Sequence, residues 1–233
     1  MKQRIALIAC AALIGVQALG CAPLIVGVVV AGTALVATDR RTTGTQVDDQ
    51  TIQLRVANEL STAFGKQPVH INVNSFDRKV LLTGEVPDEA VKTRVGEIAA
   101  ASQNVRAVVN ELVIAPPSSI GDRTADTTLA TKVRAAFVNT KEISFNSIEI
   151  VAERGVIYLL GLVTEQEGQI AAIVASKVSG VKQVVKVFDY ASKEEIERRR
   201  ALSASGATPT QPAGALPAPA AEPAPAPGAT PTK

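Results

Sequence analysis

Residues 49–114 and 126–189 write one pattern twice, at an offset of 77. Asp49/Asp126, Ile52/Leu129, Val56/Val133, Leu60/Phe137, Ile71/Ile148, Val80/Ile157, Gly84/Gly161 and Val86/Val163 fall in register. Further on the offset drops to 76, where residues 104–109 answer residues 180–185. Apolar positions repeat as apolar and turn formers as turn formers, so the duplication is of a folded unit and not of a low-complexity tract. Two copies of one small domain are expected.

Each copy opens with an amphipathic helix, its stripe formed by Ile52, Val56, Leu60 and Phe64 or by Leu129, Val133 and Phe137. Asp49 and Asp126 stand where N-caps are expected. Two β-rich runs follow in each copy. Val69 to Ser75 and Lys79 to Glu85 flank Phe76-Asp77-Arg78; Ser147 to Ala152 and Val156 to Val163 flank Glu153-Arg154-Gly155. Alternation around a polar turn predicts a hairpin.

A second helix comes next, opened in copy two by Thr164-Glu165-Gln166-Glu167, which reads as a capping box. It is expected to end at Asn104 or Gly180, residue types that tolerate the left-handed conformation. A last strand spans Ala107 to Ile114 or Gln183 to Phe188. The predicted class is α+β: two tandem α-β-β-α-β units, each a three-stranded mixed sheet with both helices on one face. Gly84 and Gly161 fall inside strands, where glycine costs stability and marks a bulge or a close approach. With Gly180 they are read as structural glycines.

The ends of the chain read differently. Lys2 and Arg4, an apolar run from Ile5 to Val16, and Gly20-Cys21 have the layout of a secretory leader, with Cys21 as the candidate lipidation site. The alternative is an uncleaved transmembrane helix, because Leu24 to Ala37 adds a second apolar run and a span needs ~20 residues. Without Lys2 and Arg4, 22 bases face 22 acids, so net charge is no argument for a nucleic-acid partner. Residues 203–233 hold eight of the thirteen prolines and are expected to stay extended and disordered. The expected division is leader 1–20, apolar segment and linker 21–47, first domain 48–115, linker 116–124, second domain 125–190, a short charged helix 191–202 and the tail 203–233.

Little here supports catalysis. Cys10 and Cys21 both lie in the leader region, which removes a cysteine nucleophile, a thiolate metal site and a redox pair from the folded part. His70 is the sole histidine and reads as an ordinary strand residue. No HExxH, GxGxxG, GxxxxGK or GxSxG pattern occurs. Asp48 and Asp49 would leave only carboxylate chemistry, and Asp49 is already assigned to a cap. Two Tyr, five Phe and no Trp provide no stacking platforms for nucleic acid. No enzyme, metal, cofactor or small-molecule substrate is expected.

The two first helices differ in one respect. Thr51 to Gly65 mixes Arg55 with Glu59, whereas Thr127 to Lys141 contains Lys132, Arg134 and Lys141 and no acid. Opposite its apolar stripe the second copy shows Thr128, Ala135 and Val138. Small and apolar residues flanked by unopposed cations suit the interface of an anionic bilayer, each cation contributing about 1 kcal/mol. The candidate lipid-binding residues are therefore Thr128, Lys132, Arg134, Ala135, Val138 and Lys141. Their alternative role is as solvated charges around a domain interface.

The unit resembles the BON domain of bacterial envelope proteins, in its order of elements and its strand glycine. Residues 1–190 resemble dual-BON outer-membrane lipoproteins. The likeness rests on Ala37-Thr38-Asp39-Arg40, Gly44-Thr45-Gln46-Val47-Asp48-Asp49, Thr131-Lys132-Val133-Arg134, Gly161-Leu162-Val163-Thr164-Glu165 and Val178-Ser179-Gly180-Val181-Lys182. Ala18-Leu19-Gly20-Cys21 likewise resembles the bacterial lipoprotein box. The resemblance implies a non-enzymatic protein anchored by lipid in the outer membrane, facing the periplasm, since Ala22 is not the Asp that retains such proteins inside. It further implies anionic phospholipid as a partner, through the first helix of the second BON domain. Outer-membrane assembly and division proteins are implied as further partners. A structural adaptor binding a protein or a peptidoglycan-associated partner is the alternative.

Overall fold

The computed structural model describes residues 39–205. The leader, Cys21 and the segment 206–233 lie outside the described residues. The first unit contains α1 (Thr43–Phe64), β1 (His70–Phe76), β2 (Lys79–Val86), α2 (Glu89–Ala101), β3 (Ala107–Asn110) and β4 (Val113–Ile114). The second contains α3 (Ile120–Val138), a 3-10 turn (Phe145–Ser147), β5 (Ile148–Glu153), β6 (Val156–Val163), α4 (Glu165–Ser176) and β7 (Gln183–Tyr190). A final helix, α5 (Lys193–Ser205), runs past the boundary expected at residue 202. No helix among the described residues is long and apolar enough to cross a membrane.

Each sheet is mixed, with its second strand central. β2 pairs antiparallel with β1 and parallel with β3 and β4; β6 pairs antiparallel with β5 and parallel with β7. The helices cover one face of each sheet. Ile52, Val56, Leu60, Val80, Leu82, Val95 and Ala99 form the first core; Leu129, Val133, Phe137, Ile157, Leu159, Ala171 and Phe188 form the second.

Both first helices begin earlier than expected. Thr42 Oγ1 accepts from Thr45 N to start α1, and Ser119 with Asp122 forms a reciprocal capping box at α3. Asp49 and Asp126 are thus not caps but lie about two turns inside their helices, buried and facing the hairpins. Asp49 accepts hydrogen bonds from Ser75 Oγ (2.9 Å), Asp77 N (2.9 Å) and Arg78 N (2.7 Å), and Arg41 pairs with it at 2.9 Å. Asp126 accepts from Arg154 N and Gly155 N, both at 2.8 Å.

Those turns explain why an acid is needed there. The two-residue loops Asp77-Arg78 and Arg154-Gly155 have φ of 48°, 61°, 55° and 79°, the pattern of type I′ turns that normally prefer Asn-Gly. Three of these four residues carry a Cβ and pay a steric penalty for positive φ. A buried carboxylate that binds both turn N–H groups offsets it.

Other local expectations change in the structure. The second helices stop at Ala101 and Ser176, three residues or more before Asn104 (φ 68°) and Gly180 (φ 101°), which occupy the left-handed conformation in the following loops. Thr164 Oγ1 accepts from Glu167 N, but the Glu167 carboxylate does not return to the cap. It binds Arg40 at 2.7 and 3.1 Å and accepts from Ser144 N at 2.9 Å. The last strand of the first unit is interrupted at residues 111–112, between the pairs Leu82↔Asn110 and Glu85↔Val113. The gap lies opposite Gly84, whose φ of 115° bends the central strand.

The free faces of the two sheets pack on each other, giving four layers: helices, sheet, sheet, helices. Phe76, Leu81, Tyr158, Leu160, Leu162 and Val187 fill the seam. Each such buried side chain contributes about 1.5–3 kcal/mol at most, which helps two units whose own cores are small. Burial, with the fields of Glu111 and Glu153, pushes the Tyr158 hydroxyl up to about 12, so it enters the seam uncharged. Polar pairs rim the seam: Lys79 and Arg106 reach Asp189 at 2.8 and 2.7 Å, Asn72 reaches Glu153 at 2.7 Å, and Arg154 reaches Glu85 at 3.2 Å. Burial would raise the Asp189 carboxyl, but Lys79 and Arg106 outweigh it and hold it below its usual range.

Candidate functional site

Because the sheets face inward, α3 lies on an outer layer and its far side is not covered by the first domain. Leu129, Val133 and Phe137 point into the core, and at 100° per residue the opposite stripe runs through Ile120, Thr124, Thr128, Thr131, Ala135 and Val138. All six are exposed. Ile120 and Val138 are 83% and 55% exposed and stand at the two ends of the stripe, about 27 Å apart along the axis.

The threonines in this stretch do not present unsatisfied hydroxyls. Thr124, Thr127, Thr128 and Thr131 each donate to the carbonyl four residues earlier at 2.9 Å. Their hydroxyls are satisfied within the helix, which lowers the cost of drying this face.

Lys132 lies on one flank of the stripe and Arg134 on the other. Both are exposed, and among the described residues neither they nor Lys141 form a salt bridge. The Arg134 charge is felt at longer range by Glu149, where burial raises the carboxyl and Arg41, Asn74 and Arg134 only partly offset the rise. Lys132 borders a groove of about 430 Å³ that also carries Arg154 and Lys182 together with Asp122 and Asp126. Lys141 is not on the helix, which ends at Val138 with Asn139 as its C-cap. It lines a separate groove of about 760 Å³ of mixed charge, where Arg40 and Arg200 pair with Glu167 and Glu197 and where Glu142 and Lys193 also lie.

Thr128, Lys132, Arg134, Ala135 and Val138 thus share one helix surface, and Lys141 sits beyond its end. Starting α3 at Ile120 adds Arg123 and Asp122 to the helix, with Asp122 engaged by the Ser119 cap. Ile120 was not among the expected residues, because a helix read as starting at Asp126 cannot include it. The Ser119-x-x-Asp122 spacing was the available signal. The equivalent surface of α1 exposes Val47 and Leu54 but also Asp48, and Glu59 is half-buried beside Arg55.

The glycines are placed by backbone crowding. A Cβ on Gly84 would lie 2.1 Å from His70 O, and one on Gly161 would lie 2.6 Å from Ser147 O, the equivalent neighbour in the other sheet. At Gly180 a Cβ would meet Leu129 Cδ1 at 3.2 Å.

The BON domain family matches residues 48–116 and 125–192, one match on each unit. The outer membrane lipoprotein DolP of Haemophilus influenzae is 39% identical over 158 residues, covering 67% of this chain and 82% of that protein. The 21 kDa hemolysin of Actinobacillus pleuropneumoniae is 31% identical over 153 residues, 65% of this chain and 79% of that one. Among solved structures, CdsD, a structural protein of the type III secretion system of Chlamydia trachomatis, aligns over 62% of this chain and 96% of its own at 10% identity. Its TM-score is 0.27, too low to carry an argument. Two family matches on two duplicated α-β-β-α-β units, with a relative of this identity over most of its length, place the chain in the BON-domain family as a dual-BON protein of the DolP type.

Proposed function

We propose that this chain is an outer-membrane lipoprotein, anchored through Cys21 after removal of residues 1–20 and facing the periplasm, whose second BON domain binds anionic phospholipid. The anchor reading is supported by the layout of the leader and by the name of the DolP relative. The membrane surface is the outward stripe of α3, with Lys132 and Arg134 beside it and Lys141 near its end. Outer-membrane assembly and division proteins are its protein partners in this reading, and envelope integrity is its role.

The observation that carries the proposal is that face itself: exposed, apolar at both ends, its hydroxyls internally bonded, and its flanking cations without ion-pair partners among the described residues. Three cations contribute only about 3 kcal/mol at a charged surface, which alone corresponds to weak binding. Tethering at Cys21 makes the same contact intramolecular and raises its effective concentration.

A version of the chain lacking residues 1–21 is expected to float with vesicles containing anionic phospholipid and not with purely zwitterionic ones. Raising salt should reduce the floated fraction, because exposed charges more than ~10 Å apart are screened at 0.1 M. Equal flotation with both vesicle types, or flotation insensitive to salt, would contradict the proposal.

A further inference from the structure

At the junction of the two domains the chain's single histidine faces two buried carboxylates. His70 opens β1, Glu85 lies directly across from it in β2, and Glu153 closes β5 of the other domain. His70 Nδ1 is 2.9 Å from Glu85 Oε2 and 3.9 Å from Glu153 Oε1. One ligand atom from each of the three lies within 4.8 Å of the others. The Glu85 and Glu153 side chains are 0% and 5% exposed, and the 12% exposure of His70 leaves a route from solvent.

The surroundings orient these groups without saturating them. Ser118 N and Arg154 Nη1 donate to Glu85 at 3.1 and 3.2 Å, and Ser118 Oγ lies 3.3 Å from His70 Nδ1. Asn72 Nδ2 donates to Glu153 Oε2 at 2.7 Å. Glu153 Oε1 has no hydrogen-bond donor among the described residues and faces the imidazole. An unbonded carboxylate oxygen facing a ring nitrogen and a second, buried carboxylate leaves a position that a cation can complete.

We propose that His70, Glu85 and Glu153 form a site for a divalent transition cation of the zinc class, which ties the two BON domains together. Imidazole nitrogen and carboxylate oxygen bind zinc at about 2.0–2.2 Å, which puts tetrahedral donor atoms roughly 3.4 Å apart. Two of the observed separations, 2.9 and 3.9 Å, bracket that spacing and the third lies within 4.8 Å, so side-chain shifts of about an ångström complete the site. Three protein ligands leave a fourth position for water. Calcium and magnesium demand six or more oxygen donors, whereas an imidazole donor selects the zinc, nickel and copper group. Two ligands come from the first domain and one from the second, so the ion is bonded to both.

The test uses the full-length chain in detergent micelles, free of any added histidine, with Zn²⁺ as the probe. His70 then gives the only imidazole signal. One equivalent of Zn²⁺ should shift the His70 ¹⁵N imidazole resonances and raise Tm, and Mg²⁺ should do neither. Glu153→Gln keeps the size of the side chain and its bond from Asn72, and should weaken Zn²⁺ binding at least about tenfold. Resonances unmoved by one equivalent, as expected if a proton on His70 neutralises the pocket instead, overturn the proposal. So does equal Zn²⁺ affinity in the wild type and Glu153→Gln. Should that variant fail to fold, the wild-type response to Zn²⁺ against Mg²⁺ decides alone.

Discussion

Replacing Asp49 by alanine is expected to destabilise the protein by about 3 kcal/mol, measured as a shift of the urea or thermal unfolding of the first domain. The carboxylate accepts from Ser75 Oγ and from the backbone N–H groups of Asp77 and Arg78, and it shares Arg41 with Asp39. Removing it leaves those donors short of partners, each at about 1–3 kcal/mol when buried. It also removes what offsets two residues held at positive φ without being glycine. The equivalent Asp126→Ala should cost less, about 2 kcal/mol, because Asp126 receives two bonds and its turn contains Gly155. Asn at position 49 should fall between Asp and Ala, keeping one acceptor and losing the Arg41 ion pair. Equal, small losses at both positions would mean that the helix acids do not hold the hairpins.

The second large effect is expected at the strand glycines. Gly84→Ala combines a backbone φ of 115° with a Cβ placed 2.1 Å from a neighbouring carbonyl oxygen, so β1 or β2 must move. A loss of about 3 kcal/mol or more is expected. Gly161→Ala meets its neighbour at 2.6 Å with no positive φ, and only one of the two penalties applies. It should therefore be the milder change. Thermal unfolding of the two variants side by side tests the order, and a Gly161 variant less stable than the Gly84 variant would refute it.

Much of this architecture was legible in the sequence because the repeat constrains it twice. Apolar stripes, strand alternation and the strand glycines recur at equivalent positions of the two copies, and the hairpins and helix stripes follow from that register. What failed was local. Asp49 and Asp126 look like caps because acids favour helix starts, and only the folded hairpin reveals that their partners are turn N–H groups some 28 residues away in sequence. That displaced the start of α3 and hid Ile120.

The sheet-on-sheet seam was also missed, although it left a trace. Val80-Leu81-Leu82 and Ile157-Tyr158-Leu159-Leu160 are continuous apolar runs where a half-exposed strand would alternate. Leu81, Tyr158 and Leu160 are the residues that fill the seam. Glu167 shows the same limit on a smaller scale: its capping-box spacing is real, but Arg40, from beyond the repeat, takes its carboxylate.

In the proposed function, membrane contact lies on one helix of one of two similar domains, and charge reversal tests that assignment most directly. Lys132→Glu with Arg134→Glu should abolish flotation of the chain lacking residues 1–21 with anionic vesicles and leave it folded with a slightly lower Tm, since both side chains are exposed and outside any salt bridge among the described residues while the Arg134 charge acts on the buried Glu149 carboxylate. Lys66→Glu, on the exposed loop after α1, should float as the wild type does. Undiminished flotation of the double variant, or equal loss from Lys66→Glu, would show that α3 is not the surface that meets the lipid.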